Sequence, residues 1–160
     1  MKTIDVPVEA LKHSFRHHAS GVCVITLIDE AGNPVGFTAT SVTSLGATPP
    51  LVSFNVASGS STWPSLCKAT WVAIHTLGDS NQELAVKMAS DHTKRFLDDD
   101  WAFGPKGLPI FTGATTVLIG AIREIHSVEN NAVVIVDALE GLSGIEQRPL
   151  LYFQRNYLIG

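Results

Sequence analysis

The sequence predicts a mainly β fold with two or three short helices, closed as a barrel or a sandwich, in a single domain over residues 1–160. Three observations lead there. The chain has 160 residues, the usual size of one domain with one core. Apolar residues make up 45% and charged residues only 16%, which excludes disorder and calls for much buried surface. Short β-type apolar runs recur along it, bounded by turn-forming residues.

The first segment is a helix. Asp5 can cap it, Pro7 suits its first turn, and Val8, Leu11 and Phe15 share one face before Gly21 stops it. "GVCVITLID" (21–29) reads as a strand and "EAGNP" as a turn. "VGFTATSVTSLG" resumes as a strand until Pro49-Pro50 breaks it, and "LVSFNV" (51–56) is the next strand. "SSTWPSLC" makes one helical turn with Pro64 near its start. "WVAIHTL" (71–77) is again a strand. Ser80 and Glu83 have capping-box spacing ahead of a helix with Leu84, Ala85, Met88 and Ala89 on one stripe. Residues 91–113 look irregular. "ATTVLIGAIREIHSV" (114–128) and "NAVVIVDALEGL" (131–142) form a long hairpin, and "PLLYFQRNYLI" is a closing strand.

That is about seven strands. Several are apolar on both faces: Val22, Val24 and Ile28 alternate with Cys23, Ile25 and Leu27. One face can fill a barrel. The other needs more cover than two helices give, so a homodimer that buries sheet surface is expected.

Composition excludes several functions. The net charge is −4 with no basic run, which argues against nucleic acid and against an anionic membrane surface. The N-terminus has no signal-peptide pattern, and no run approaches the roughly 18 apolar residues of a membrane span. Cys23 and Cys67 fit no zinc or redox spacing, and reduced thiols point to the cytoplasm. His13 and His17 share a helix face but lack a third ligand nearby, so no metal site is assigned. His75 lies inside an apolar strand and reads as a satisfied core or site histidine; the acidic run Asp98 to Asp100 reads as a solvated loop.

No nucleophile elbow, G-x-G-x-x-G fingerprint or phosphate loop is present. Two hydroxyl-rich stretches remain. In "SGSST" (58–62), Gly59 permits a sharp turn, and Ser60, Ser61 and Thr62 offer hydroxyls before a short helix. This is either ordinary capping chemistry or an anion site. "GFTATSVTS" (36–44) has five hydroxyls around the small Ala39. This is either plain β propensity or a wall for a flat heterocycle with a polar edge.

In order, these pieces resemble the flavin reductase-like family, whose fold is an FMN-binding split β-barrel. The resemblance runs over "FRHHASGVCVIT", "GFTATSVTSLGATPPLVSFNV", "SSTWPSL", "KRF" (94–96), "GLP" (107–109) and "PLLYFQRNY". It implies a homodimer that binds FMN or FAD and oxidises NADH or NADPH, as the reductase that feeds a separate flavin-dependent monooxygenase. No side-chain acid or base is then needed, because the protein's task is to stack two rings for hydride transfer. By the same resemblance, Thr38, Ala39, Thr40 and Ser41 meet the polar edge of the ring system. Asn55 and Ser58 lie near the ribityl chain. Ser60, Ser61, Thr62 and Arg95 hold the phosphate, with Phe96 packed beside them. Many members have Gly-Asp-His where this chain has Glu129, Asn130 and Asn131, so Asn131 is the candidate nicotinamide contact. That departure leaves an alternative, a flavin-binding electron carrier without efficient NAD(P)H oxidation.

Overall fold

The structure, a computed structural model, describes residues 1–160. The helix α1 (Pro7–Arg16) precedes β1 (Ser20–Gly21), β2 (Cys23–Ile28) and β3 (Pro34–Ala39). Next come β4 (Thr43–Ala47), β5 (Pro50–Ala57), α2 (Trp63–Leu66), β6 (Trp71–Thr76) and α3 (Gln82–Ala89). The short strands β7 (Trp101–Phe103) and β8 (Pro109–Phe111) follow, then the long hairpin of β9 (Thr116–Val128) and β10 (Asn131–Ser143). The chain closes with β11 (Leu150–Phe153) and β12 (Asn156–Ile159).

Seven strands form one sheet in the order β3-β2-β6-β9-β10-β5-β4. Its two edge strands, β3 and β4, are consecutive in the chain and joined only by residues 40–42. In a flat sheet these edges would stand about 29 Å apart, at roughly 4.8 Å per strand. The link spans at most about 14 Å. The sheet therefore curls until its edges approach, giving a barrel split between β3 and β4. Ser41 ties the link to β5: the Asn55 N–H donates to Ser41 Oγ at 2.9 Å.

The barrel interior is filled from alternate positions of these strands, including Ile25, Leu27, Phe54, Ile74, Val134 and Val136, with Leu66 of α2 as a plug. The opposite face of β2, β6 and β9 carries a second core with Val24, Ala73 and Ile119. This face is covered from within the chain by Met88 of α3, Phe111 of β8 and Leu150 of β11. The doubly apolar β2 is thus buried on both faces without a second subunit, and the argument for a dimer from that strand fails. The apolar face of α1 stays bare, as do scattered residues elsewhere such as Leu97 and Phe103. That helix buries no residue, and Val8, Leu11 and Phe15 are 52%, 59% and 64% exposed.

Several local expectations change for stated reasons. Val6, not Asp5, is the N-cap of α1, and no side chain caps it. The expected strand over 35–46 is two strands, because β3 pairs with β2 while β4 pairs with β5. The Ser80 hydroxyl donates to Gln147 Oε1 at 2.6 Å instead of forming a capping box, and the Gly78 N–H is met by Asn81 Oδ1. The irregular stretch contains the β7–β8 hairpin, whose three-residue strands are too short to show a period. The closing strand is a hairpin that turns at Gln154 and Arg155, both at positive φ, where no Gly or Asn marks the turn.

His75 is a core histidine. The Phe111 N–H donates to its Nε2 at 3.1 Å, so the proton sits on Nδ1, which faces the Val24 carbonyl at 3.1 Å. Burial pushes its pKa down from 6.5 to about 4, against a smaller opposing effect of the Val24 bond. A depressed histidine pKa means that acid favours the unfolded chain. The contribution is complete above pH 6.5 and is lost as the pH falls toward 4. Urea unfolding should therefore lose about 2 kcal/mol between pH 7.5 and pH 5 through this group. His75→Gln should flatten that slope, and an equally steep slope in the variant would refute the assignment.

Candidate functional site

Beside the split of the barrel lies a depression of about 380 Å³. One wall is the end of β3 and the link after it, with Thr38, Ala39, Thr40 and Ser41. A second wall is the end of β5, with Asn55. Its third side is the loop before α2, with Ser60, Ser61 and Thr62, and Arg95 completes the lining. The sequence expectation gathered these nine residues from separate segments, and the fold brings all of them together.

The loop is shaped by its own backbone. The Ser60 N–H donates to Ala57 O at 3.0 Å and the Trp63 N–H to Ser60 O at 3.2 Å, which turns the chain into α2. Leu66 then anchors α2 in the barrel and draws Thr62 inward to 1% exposure. Ser60 Oγ and Thr62 Oγ1 are buried there with no hydrogen-bond partner. Each orphan of this kind costs about 1–3 kcal/mol, which a polar ligand would recover.

Arg95 supplies the charge. Its Nη1 donates to Gly36 O at 2.8 Å, and its Nε and Nη2 donate to Ser90 O at 3.1 and 2.7 Å. All three bonds go to backbone carbonyls and none to a carboxylate, so two of its five N–H groups remain for a ligand. Partial burial lowers its pKa, partly offset by Asp91, which marks a cation short of compensating charge. Gly36 is required for this arrangement. A β-carbon there would lie 2.6 Å from the backbone oxygen Ile25 O of β2, so the pairing of β3 with β2 would have to shift.

Two of the gathered hydroxyls do not face outward. Thr38 Oγ1 donates to Ala85 O at 2.6 Å and ties β3 to α3, and Ser41 Oγ is engaged with Asn55. Their backbones, rather than their hydroxyls, are left for a ligand. Three expected residues lie outside the depression. Ser58 is turned to the long hairpin, its N–H donating to Asn130 O at 3.0 Å. Phe96 packs on the second core, its ring 5.6 Å from Phe111. Asn131 opens β10 opposite Ala57, exposed. At the turn Glu129 takes positive φ. Phe37, Val56 and Ala57 also line the depression and were not expected; period-two counting from Asn55 reaches Ala57.

A neighbouring depression of about 550 Å³ shares Thr40, Ser41 and Asn55 with the first and extends to Phe15 and His18. A larger concavity, about 880 Å³, lies over α3 between Glu83, Lys87 and Leu97. It is wide and holds no orphaned buried polar atom, so the smaller depression is the better candidate. No three His, Cys, Asp or Glu side chains are grouped to hold a metal ion. His17 Nδ1 instead lies 2.8 Å from His13 O on its own helix. Cys23 and Cys67 are free thiols, and burial pushes Cys23 up to about 11.

A curled seven-stranded sheet with a polar depression at its split edge defines the split-barrel class of proteins. Within it, residues 15–159 match the flavin reductase-like domain, and the chain belongs to that family. It is 34% identical over 161 residues to the NADH:FMN oxidoreductase of Rhodococcus erythropolis, covering 90% of this chain and 77% of that protein. It is 31% identical over 139 residues to HsaB, the reductase subunit of a flavin-dependent monooxygenase from Rhodococcus jostii (strain RHA1), covering 86% and 70%. The crystal structure of a flavin reductase domain protein from Arthrobacter sp. FB24 superposes with a TM-score of 0.91 at 44% identity, covering 96% of this chain and 95% of that one.

Two variants separate ligand contacts from scaffolding. Ser60→Ala with Thr62→Ala should weaken FMN by about tenfold or more and riboflavin, which lacks the phosphate, by far less. Equal losses in fluorescence titrations with the two flavins would refute the anion assignment. Ser41→Ala removes the Asn55 clasp. It should cost about 1 kcal/mol in urea unfolding and weaken FMN and riboflavin alike; an FMN-selective loss would place Ser41 at the phosphate instead.

Proposed function

We propose that residues 1–160 act as one flavin reductase domain, an NAD(P)H:flavin oxidoreductase that passes a hydride from NADH or NADPH to FMN or FAD. One observation carries this reading: two buried, unpartnered hydroxyls, Ser60 and Thr62, share a depression with Arg95, a cation without a carboxylate partner. A phosphate would satisfy all three, with charge-assisted bonds from the two free guanidinium N–H groups. Ser61 adds a third hydroxyl at that end, and Asn55 lies along the route to the ring end. At the ring end, Ala39 and Thr40 offer a small side chain and backbone polar groups to a flat heterocycle.

A flavin bound there would supply N5 as the acceptor of the hydride from nicotinamide C4. The protein's contribution is geometric: Thr40, Ser41 and Asn55 form a wall common to both depressions, so a reductant in the second would abut a ring held in the first. No side chain has to move a proton in the hydride step.

The rest of the reading follows the family. The reduced flavin supplies a separate monooxygenase, a reading supported by the Rhodococcus jostii relative, which is named as the reductase subunit of a flavin-dependent monooxygenase. The chain works as a homodimer in which a second copy covers the bare face of α1, with Val8, Leu11 and Phe15. It works in a reducing cytoplasm, where Cys23 and Cys67 stay thiols. Helices long and apolar enough to cross a membrane are absent.

Stopped-flow mixing of the FMN-loaded protein with NADH or NADPH is the test. The flavin absorbance band should bleach and recover in air. FMN binding without bleaching by either reductant would make the chain a flavin carrier instead. Light scattering after size exclusion should give twice the chain mass of 17.1 kDa, and Leu11→Asp should shift it to the monomer.

A further inference from the structure

Arg95 is carried by residues 90–100, a stretch with no strand pairing and a single 3-10 turn, His92–Lys94. Its position therefore depends on how side chains fasten that stretch. Phe96 does so on the core side, stacked on Phe111 at 5.6 Å and edge-on to Trp101 at 5.4 Å. Lys87 of α3 does so further along. Its Nζ lies 3.0 Å from Asp98 Oδ2 and 2.6 Å from Asp100 Oδ2, and 5.6 Å from the centre of the Phe111 ring. The Lys87 side chain is only 17% exposed, whereas Lys12–Glu9 and Lys68–Glu30 are pairs in open solvent. Screening leaves such open pairs little strength, and the half-buried clamp keeps more.

We infer that Lys87 is a positioning residue for the phosphate end of the depression. By clamping Asp98 and Asp100 it fixes the segment that delivers Arg95, and it does so from outside, since Lys87 does not line the depression. The inference rests on reading that end as a phosphate site. Arg95 also bonds Ser90 O at the end of α3, within one turn of Lys87, so the clamp and the guanidinium share one helix end as their reference frame. With the clamp released, the segment keeps its Phe96 anchor but loses its charged one. The guanidinium then samples positions that no longer match Ser60 and Thr62.

The test uses the full chain and fluorescence anisotropy titrations with FMN and riboflavin, with Arg95→Ala as the reference for phosphate selectivity. Lys87→Met should weaken FMN about tenfold and riboflavin less than about twofold. Lys87→Arg should restore FMN binding to within about threefold. Asp98→Asn with Asp100→Asn should reproduce the Lys87→Met loss, and combining all three should add nothing, because the groups act as one unit. That pair also stands in if Lys87→Met fails to fold, since Asp98 and Asp100 are 64% and 42% exposed. Equal weakening of both flavins, or unchanged FMN binding while Arg95→Ala remains FMN-selective, overturns the role of Lys87 and leaves the phosphate site standing. If Arg95→Ala itself weakens both flavins equally, the phosphate reading falls and the Lys87 inference falls with it.

Discussion

Three residues decide the architecture. Thr40, Ser41 and Val42 join the two edge strands of a seven-stranded sheet, and no flat sheet can meet that constraint. Curling follows, and with it an enclosed core that Phe54, Ile74 and Val134 fill from alternate positions. A seam remains because β3 and β4 meet end to end and never pair. The Ser41 hydroxyl takes the Asn55 N–H and so carries the β4–β5 side of the seam into the link. The same short link that closes the barrel therefore leaves backbone and hydroxyl groups at one edge, unused by sheet pairing.

The depression is what that seam becomes once α2 and Arg95 are added. Leu66, the last residue of α2, seats the helix in the barrel, and the Ser60 and Thr62 hydroxyls before it are buried without a partner. Arg95 is held by carbonyls of Gly36 and Ser90 and by no acid. Two orphan hydroxyls and a cation with no carboxylate bonded to it are costly when left to themselves and favourable around a phosphate. A flavin reductase needs a ring held flat beside an approach route and a grip on the ligand's far end. Under the proposed function the split edge would offer the first and the α2 loop the second.

Much of the site was legible because its chemistry is written in local runs. "SGSST" and "GFTATSVTS" each stand out by composition, and nine of the expected residues line one depression. What a hydroxyl bonds to was not legible. Thr38 turns to Ala85, 47 residues away in sequence, and Ser80 to Gln147, 67 residues away. Ser80 sits at the spacing for a helix cap, and a distant glutamine outcompeted the local partner. Phe96 and Ser58 miss the depression for the same kind of reason, one claimed by the second core and the other by the turn of the long hairpin.

The sequence by itself determined the mainly β character, the long hairpin of β9 and β10, the turn at Gly32 and the short helix at Trp63, because periodicity and turn chemistry act between near neighbours. It also determined that β2 would be apolar on both faces. Only the tertiary structure decided what covers those faces: a barrel interior on one side, and α3, β8 and β11 on the other, with no second subunit needed. It likewise decided where one apparent strand breaks in two at residues 40–42. The choice between pairing with β2 and pairing with β5 is made by strands elsewhere in the chain, and no local signal in "GFTATSVTS" carries it.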